Sequence, residues 1–233
     1  MTVPLYSDWT RASVALGIAD DERWTPFGQA ILIVQRPLVW LVTLESALPA
    51  DAEAPVSAWV SPGNQGTLFD LSDLHEHTPI SWIRGNGWAA TLCPVKPEWG
   101  TKAFNQEQSV MEHEQLPLLA PCTSGQYVYG AGLPLPTGPS QPYLLPGVVS
   151  AAGPGGLFTT LPLQPRNLGA PACVVVTTGK EPEVRLLGLI EAAHPQAPPS
   201  QTLTVVRPIS GAFALLSSEA ATAQRELILS QST

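Results

Sequence analysis

The sequence predicts an all-β fold, and two observations carry that class. Twenty-five prolines and 19 glycines punctuate 233 residues, a density that interrupts long helices and suits short strands joined by turns. Short apolar, often β-branched runs recur along the chain with turn signals between them, and no helix-length pattern separates them before the C-terminus. That spacing favours a sandwich or barrel and speaks against parallel βαβ units. At this length one large β unit, or two of about 100 residues each, can bury a core without metal or disulfide staples.

The runs read in order as Ala12–Gly17, Gln29–Val34, Leu38–Leu44, Val56–Val60, Gly66–Phe69, Trp88–Cys93, Tyr127–Ala131, Leu144–Ala151, Leu157–Thr160, Ala172–Thr177, Val184–Ile190 and Thr202–Arg207. The longest apolar stretch, Ala30 to Leu44, is broken by Gln35, Arg36 and Pro37. It is too short for a span of ~20 residues and reads as two buried strands. Gly153-Pro154-Gly155-Gly156 lacks the strand–helix setting of a phosphate loop and reads as a hairpin turn. The segment Thr101–Pro121 is polar and ends in prolines, a connection between two β units. Leu216, Ala220, Ala223 and Leu227 fall at helical spacing around the candidate caps Ser217 and Ser218, which predicts a C-terminal helix. These signals divide the chain into residues 1–110, 111–216 and a helix with tail at 217–233. Pro134–Pro146 and Pro195–Pro199 read as surface loops, and no fixed-period repeat is visible.

The charge balance is 11 Lys and Arg against 19 Asp and Glu, a net of −8. The basic residues are scattered singly, so neither nucleic acid nor an anionic membrane is an expected partner. The N-terminal residues show no basic and apolar signal-peptide pattern, which predicts a cytoplasmic chain. Three cysteines without Cys-x-x-Cys spacing predict neither a disulfide framework nor a cysteine zinc site. Cys93 and Cys173 sit in apolar runs and read as buried thiols. No cofactor is expected. His75-Glu76-His77 and Met111-Glu112-His113-Glu114 read as solvated loop, because no third ligand is identifiable. Asp20-Asp21-Glu22-Arg23 reads as a solvated turn. Of the seven tryptophans, Trp40, Trp59 and Trp88 fall in strand patterns and are expected in the core, while Trp9, Trp24 and Trp99 flank loops and suit a contact surface.

Several segments, taken in order, carry a family likeness. Leu38–Leu48 resembles the strand that runs into a histidine base, with Ser46 at the histidine position. Gly87-Trp88-Ala89-Ala90-Thr91-Leu92 resembles the strand opened by an aspartate, with Gly87 in its place. Gly125–Leu135 and Gly147-Val148-Val149-Ser150-Ala151 resemble the strands that open the second half. Arg166-Asn167-Leu168-Gly169-Ala170-Pro171 is similar to the nucleophile segment, with Leu168 where the serine stands. In this order and spacing the chain resembles chymotrypsin-like serine protease domains of the Deg type.

The resemblance implies two antiparallel six-stranded β-barrels with a short C-terminal helix. It also implies a degenerate catalytic triad, at Ser46, Gly87 and Leu168. Triad chemistry needs a hydroxyl deprotonated by an imidazole that a carboxylate orients; Leu168 has no nucleophilic atom, Ser46 cannot act as the base near neutral pH, and Gly87 has no side chain. An oxyanion pocket would use the amides of residues 166 and 168, and Arg166 replaces a glycine there. Loss of a whole triad lowers turnover by about a millionfold. The expectation is a pseudoprotease that binds a protein or extended peptide through an inter-barrel cleft at Trp88, Arg166, Asn167, Gly169 and Ala170. Two alternatives remain open: a hydrolase with a relocated nucleophile, or a structural subunit of a larger assembly. A relocated nucleophile could come from Cys122, Cys173, Ser46 or Ser150, with His75, His77, His113 or His194 as base.

Overall fold

A computed structural model describes residues 13–19, 23–35, 37–50, 56–60, 67–70, 81–93, 111–112, 125–132, 143–153, 156–164, 167–177, 182–193 and 203–231. Its first sheet uses β1 (Ser13–Ala19), β2 (Trp24–Gln35), β3 (Leu38–Leu44), β4 (Ser57–Val60), β5 (Thr67–Asp70), β6 (Ile83–Gly85), β7 (Trp88–Cys93) and the short β8 (Met111–Glu112). They lie in the order β5-β4-β1-β2-β3-β7-β6, with β8 beside β2. A closed barrel follows, built from β9 (Tyr127–Gly132), β10 (Tyr143–Gly153), β11 (Gly156–Thr159), β12 (Pro171–Thr177), β13 (Pro182–Ala193) and β14 (Thr204–Pro208). Two helices complete the chain, α1 (Ser210–Leu216) and α2 (Glu219–Gln231).

The two units share one winding. In the barrel, three consecutive antiparallel strands β9-β10 and β10-β11 are followed by the last strand, β14, while the fourth, β12, returns to β9. The first sheet does the same: β1-β2-β3 is followed by β7, and β4 returns to β1. They differ at one place. The 12-residue strand β13 pairs with both β12 and β14 and closes the barrel, whereas its place in the first sheet is split between β5 on β4 and β6 on β7. The expected pair of closed barrels is therefore matched by one closed barrel and one antiparallel sheet among the described residues.

Alternation along β2 explains how one sheet serves two cores. Ile31 and Ile33 enter a cluster shared with the barrel and helices, while Ala30 and Leu32 enter a separate cluster with Val14, Leu16 and Leu41. The shared cluster joins Trp40, Val42 and Trp88 of the first sheet to Cys173, Leu186 and Leu189 of the barrel and Leu215, Leu216 and Ile228 of the helices. Trp40 and Trp88 are fully buried. At ~25 cal/mol per Å² and ~200 Å² per ring, each removes apolar surface worth about 5 kcal/mol, an upper bound on an extended-chain reference. Barrel closure buries a third cluster, including Val128, Val149, Leu161, Val174, Leu187 and Val206.

Four features differ from the sequence expectation. β6 was not anticipated; it is three residues long and depends on the two-residue Asn86–Gly87 turn, whose φ values of 51° and 77° are those of a primed hairpin turn. Met111–Glu112, expected in a polar connection, instead pairs in parallel with Ile33 and Val34. The helical region begins at Ser210 rather than 217, because a break at Ser217–Ser218 divides it. That break also rotates the buried face: Ala220, Ala223 and Leu227 are exposed, and Ala221 and Ile228, seven residues apart, are buried instead. Ser218 does cap α2, accepting from the Ala221 N–H at 3.3 Å. The Gly153–Gly156 hairpin is present, with those two glycines paired.

Candidate functional site

The end of β3 and the turn before β12 meet at Gly28 and Gln29 of β2, and the turn before β7 rests against the end of β3. At the end of β3 the backbone tightens into a 3-10 turn, Glu45–Ala47, with Ser46 exposed and Ala47 buried. The Glu45 N–H donates to the Gly87 carbonyl at 3.0 Å, so the Ser46 turn rests on the Asn86–Gly87 turn. On the barrel side, residues 167–170 form a tight turn closed by the Ala170 N–H on the Asn167 carbonyl at 3.0 Å. The Gln29 N–H of β2 donates to the Leu168 carbonyl at 2.7 Å.

Gly28 shows how close the segments come. A Cβ there would lie 3.0 Å from the Ala47 carbonyl oxygen and 3.2 Å from that of Leu168. Ser46, Gly87 and Leu168, 41 and 81 residues apart in sequence, are thus gathered at one junction by main-chain contacts.

Gly169 is fixed more tightly. Its φ is +79° and its N–H donates to the Ile190 carbonyl at 2.8 Å, while the Ile190 N–H returns to the Ala170 carbonyl at 2.8 Å. A Cβ at Gly169 would fall 2.0 Å from the Gln29 carbonyl oxygen, which already accepts from Thr43 Oγ1 at 2.6 Å. The position needs glycine for conformation and for space.

The other expected site residues are built into the interior. Trp88 is 1% exposed and lies under α1, where a Cβ on Gly211 would meet its indole Nε1 at 2.3 Å. Asn167 is 1% exposed, Ala170 is 0%, and Gly169 is buried. Asn167 Nδ2 points at the Pro162 carbonyl at 3.5 Å, and its Oδ1 has no partner among the described residues. Asn167, Gly169 and Ala170 belong to the turn itself, which backbone hydrogen bonds close, and Trp88 belongs to the shared cluster. Arg166 lies outside the described residues.

The chemistry available at the junction is poor. Leu168 carries no reactive atom and Ser46 Oγ makes no described hydrogen bond. At Gly87 the space beside the α-carbon is taken by the Arg207 guanidinium, 2.7 Å from where a Cβ would stand. Among the rival nucleophiles, Cys173 is buried in the shared cluster, and burial pushes its thiol far above the ordinary range because the thiolate would be desolvated. Ser150 is exposed on β10. Cys122, His75, His77, His113 and His194 lie outside the described residues, as do Trp9 and Trp99, and so do the side chains of Cys93 and Trp59. Among the described residues no group of three or more His, Cys, Asp or Glu side chains is placed to hold a metal ion, and no helix is long and apolar enough to cross a membrane.

Sequence reasoning missed Gly28, Gln29, Thr43, Glu191 and Arg207. A glycine and a glutamine entering an apolar strand, and a lone arginine in the last strand, were the available signals; each marks a place where two backbones meet. No protein-family model matches this chain, and no curated protein matches it significantly.

Proposed function

We propose that this chain is a non-catalytic relative of trypsin-like serine proteases that works by binding a protein or an extended peptide. The observation that carries this reading is that the Ala47 and Leu168 carbonyls meet at Gly28 while the Gly87 carbonyl takes the Glu45 N–H, so the segments of Ser46, Gly87 and Leu168 touch one another, yet those three residues supply neither base nor carboxylate. The shared winding of the two β units supports it, as does the placement of α1 against β7 of the first sheet. On this reading the first unit is a second barrel whose closing strand is divided between β5 and β6. Its catalytic residues are replaced, while its core is unaffected, because the buried Val, Leu and Ile strands do not depend on triad chemistry. An extended peptide is the natural ligand class, since main-chain pairing with a strand requires no reactive side chain.

The experiment is selection of binders from a displayed peptide library on the immobilised full chain, followed by calorimetry with the selected synthetic peptides. One saturable site is expected, with the peptide recovered intact by mass spectrometry. Cleavage of the peptide, or no saturable heat from any selected sequence, overturns the proposal.

A further inference from the structure

We propose that Arg207 is a charge-dependent clamp: paired with Glu191, it orders the Asn86–Gly87 turn of the first sheet, and with it the Ser46 segment. Arg207 belongs to β14 of the barrel. Its Nη1 donates to the Asn86 carbonyl at 2.8 Å, across to the other unit. Its Nη2 pairs with Glu191 Oε1, on the neighbouring strand β13. One planar cation therefore holds a backbone acceptor on one unit while a carboxylate on its own unit aims it, a division of labour that a lysine ammonium cannot reproduce.

The turn is shaped to receive it. Asn86 and Gly87 both take positive φ, and the missing side chain of Gly87 leaves the volume that the guanidinium fills. Both turn carbonyls are occupied, Asn86 by Arg207 and Gly87 by the Glu45 N–H. Contacts thus run without a gap from Glu191 through Arg207, Asn86 and Gly87 to Glu45, the residue before Ser46. Arg207 and Glu191 are 31% and 20% exposed, so solvent ions reach the pair and added salt weakens it. The apolar cluster beneath, with Trp88, Ile209, Ala212 and Leu215, holds the units together regardless. Release of the clamp is local, and it stands whether or not the chain binds peptide.

Amide hydrogen exchange of the full chain by NMR tests this, with the Glu45 amide as reporter because its acceptor is the turn itself. Arg207→Ala and Glu191→Ala are each expected to speed Glu45 exchange by about tenfold, the loss of one hydrogen bond to a charged group. The Gly169 amide, bonded within the barrel, is expected to stay at its wild-type rate. Arg207→Lys is expected to behave like Arg207→Ala, and wild type in about 1 M salt to shift toward Glu191→Ala. An unchanged Glu45 rate in Glu191→Ala, or an equal rise at Gly169, overturns the clamp.

Discussion

The Gln29 amide of the first sheet donates to the Leu168 carbonyl of the barrel at 2.7 Å, and the Gln29 carbonyl sits where a side chain on Gly169 would begin. One residue of β2 thus both binds and limits the turn that, in the resemblance, would aim a nucleophile. The junction is held by backbone groups, so its sensitivity to mutation is greatest at glycines.

Gly169→Ala combines a positive φ with a Cβ placed on a carbonyl oxygen, and is expected to cost about 2–4 kcal/mol. Gly28→Ala meets the Ala47 and Leu168 carbonyls only at 3.0 and 3.2 Å and is expected to cost less than half as much. Urea unfolding midpoints give both values and their order.

Gly211→Ala adds helix propensity worth about 1 kcal/mol, but the new methyl meets the Trp88 indole at 2.3 Å. The ring is fully buried and cannot step aside, so overpacking of about 1–3 kcal/mol wins. The net effect is destabilising. In a double-mutant cycle, Trp88→Ala is expected to remove the Gly211→Ala penalty, which shows as a coupling of at least about 1 kcal/mol.

Cys173 links stability to alkaline pH. Its thiol stays protonated in the folded chain above the ordinary value of 9.0, whereas the unfolded thiol ionises there. Above that pH the unfolded state binds fewer protons than the folded one, so unfolding free energy falls as pH rises, by up to about 1.4 kcal/mol per unit. The contribution is fully present below the unfolded value. Cys173→Ala is expected to flatten the slope between neutral and alkaline pH in denaturant titrations. In the native state at mildly alkaline pH, iodoacetamide is expected to label Cys173 only as fast as the chain unfolds, as read by peptide mass spectrometry.

Much of the fold was legible because its signals are local. Leu38–Leu44 is apolar except for Thr43, and it became a strand between β2 and β7. Ser218 carried a capping signal and caps α2. The helix face was misread because the break at Ser217–Ser218 resets the phase, and a stripe counted across it follows neither helix. β6 was missed because three residues show no periodicity; the Asn86–Gly87 turn was its only mark. The contacts that bring the segments of Ser46, Gly87 and Leu168 together do not show in any motif. Gln29, Thr43 and Arg207 act on backbone groups from other segments, and such contacts leave no spacing rule in the sequence.

Turnover by the intact purified chain tests most directly whether the junction is chemically silent. With activated esters and a panel of fluorogenic peptides, no hydrolysis above buffer is expected. Leu168→Ser is expected to change nothing, since Ser46 and Gly87 supply neither base nor carboxylate. Hydrolysis by the wild-type chain that disappears on Ser46→Ala or Cys173→Ala contradicts a silent junction.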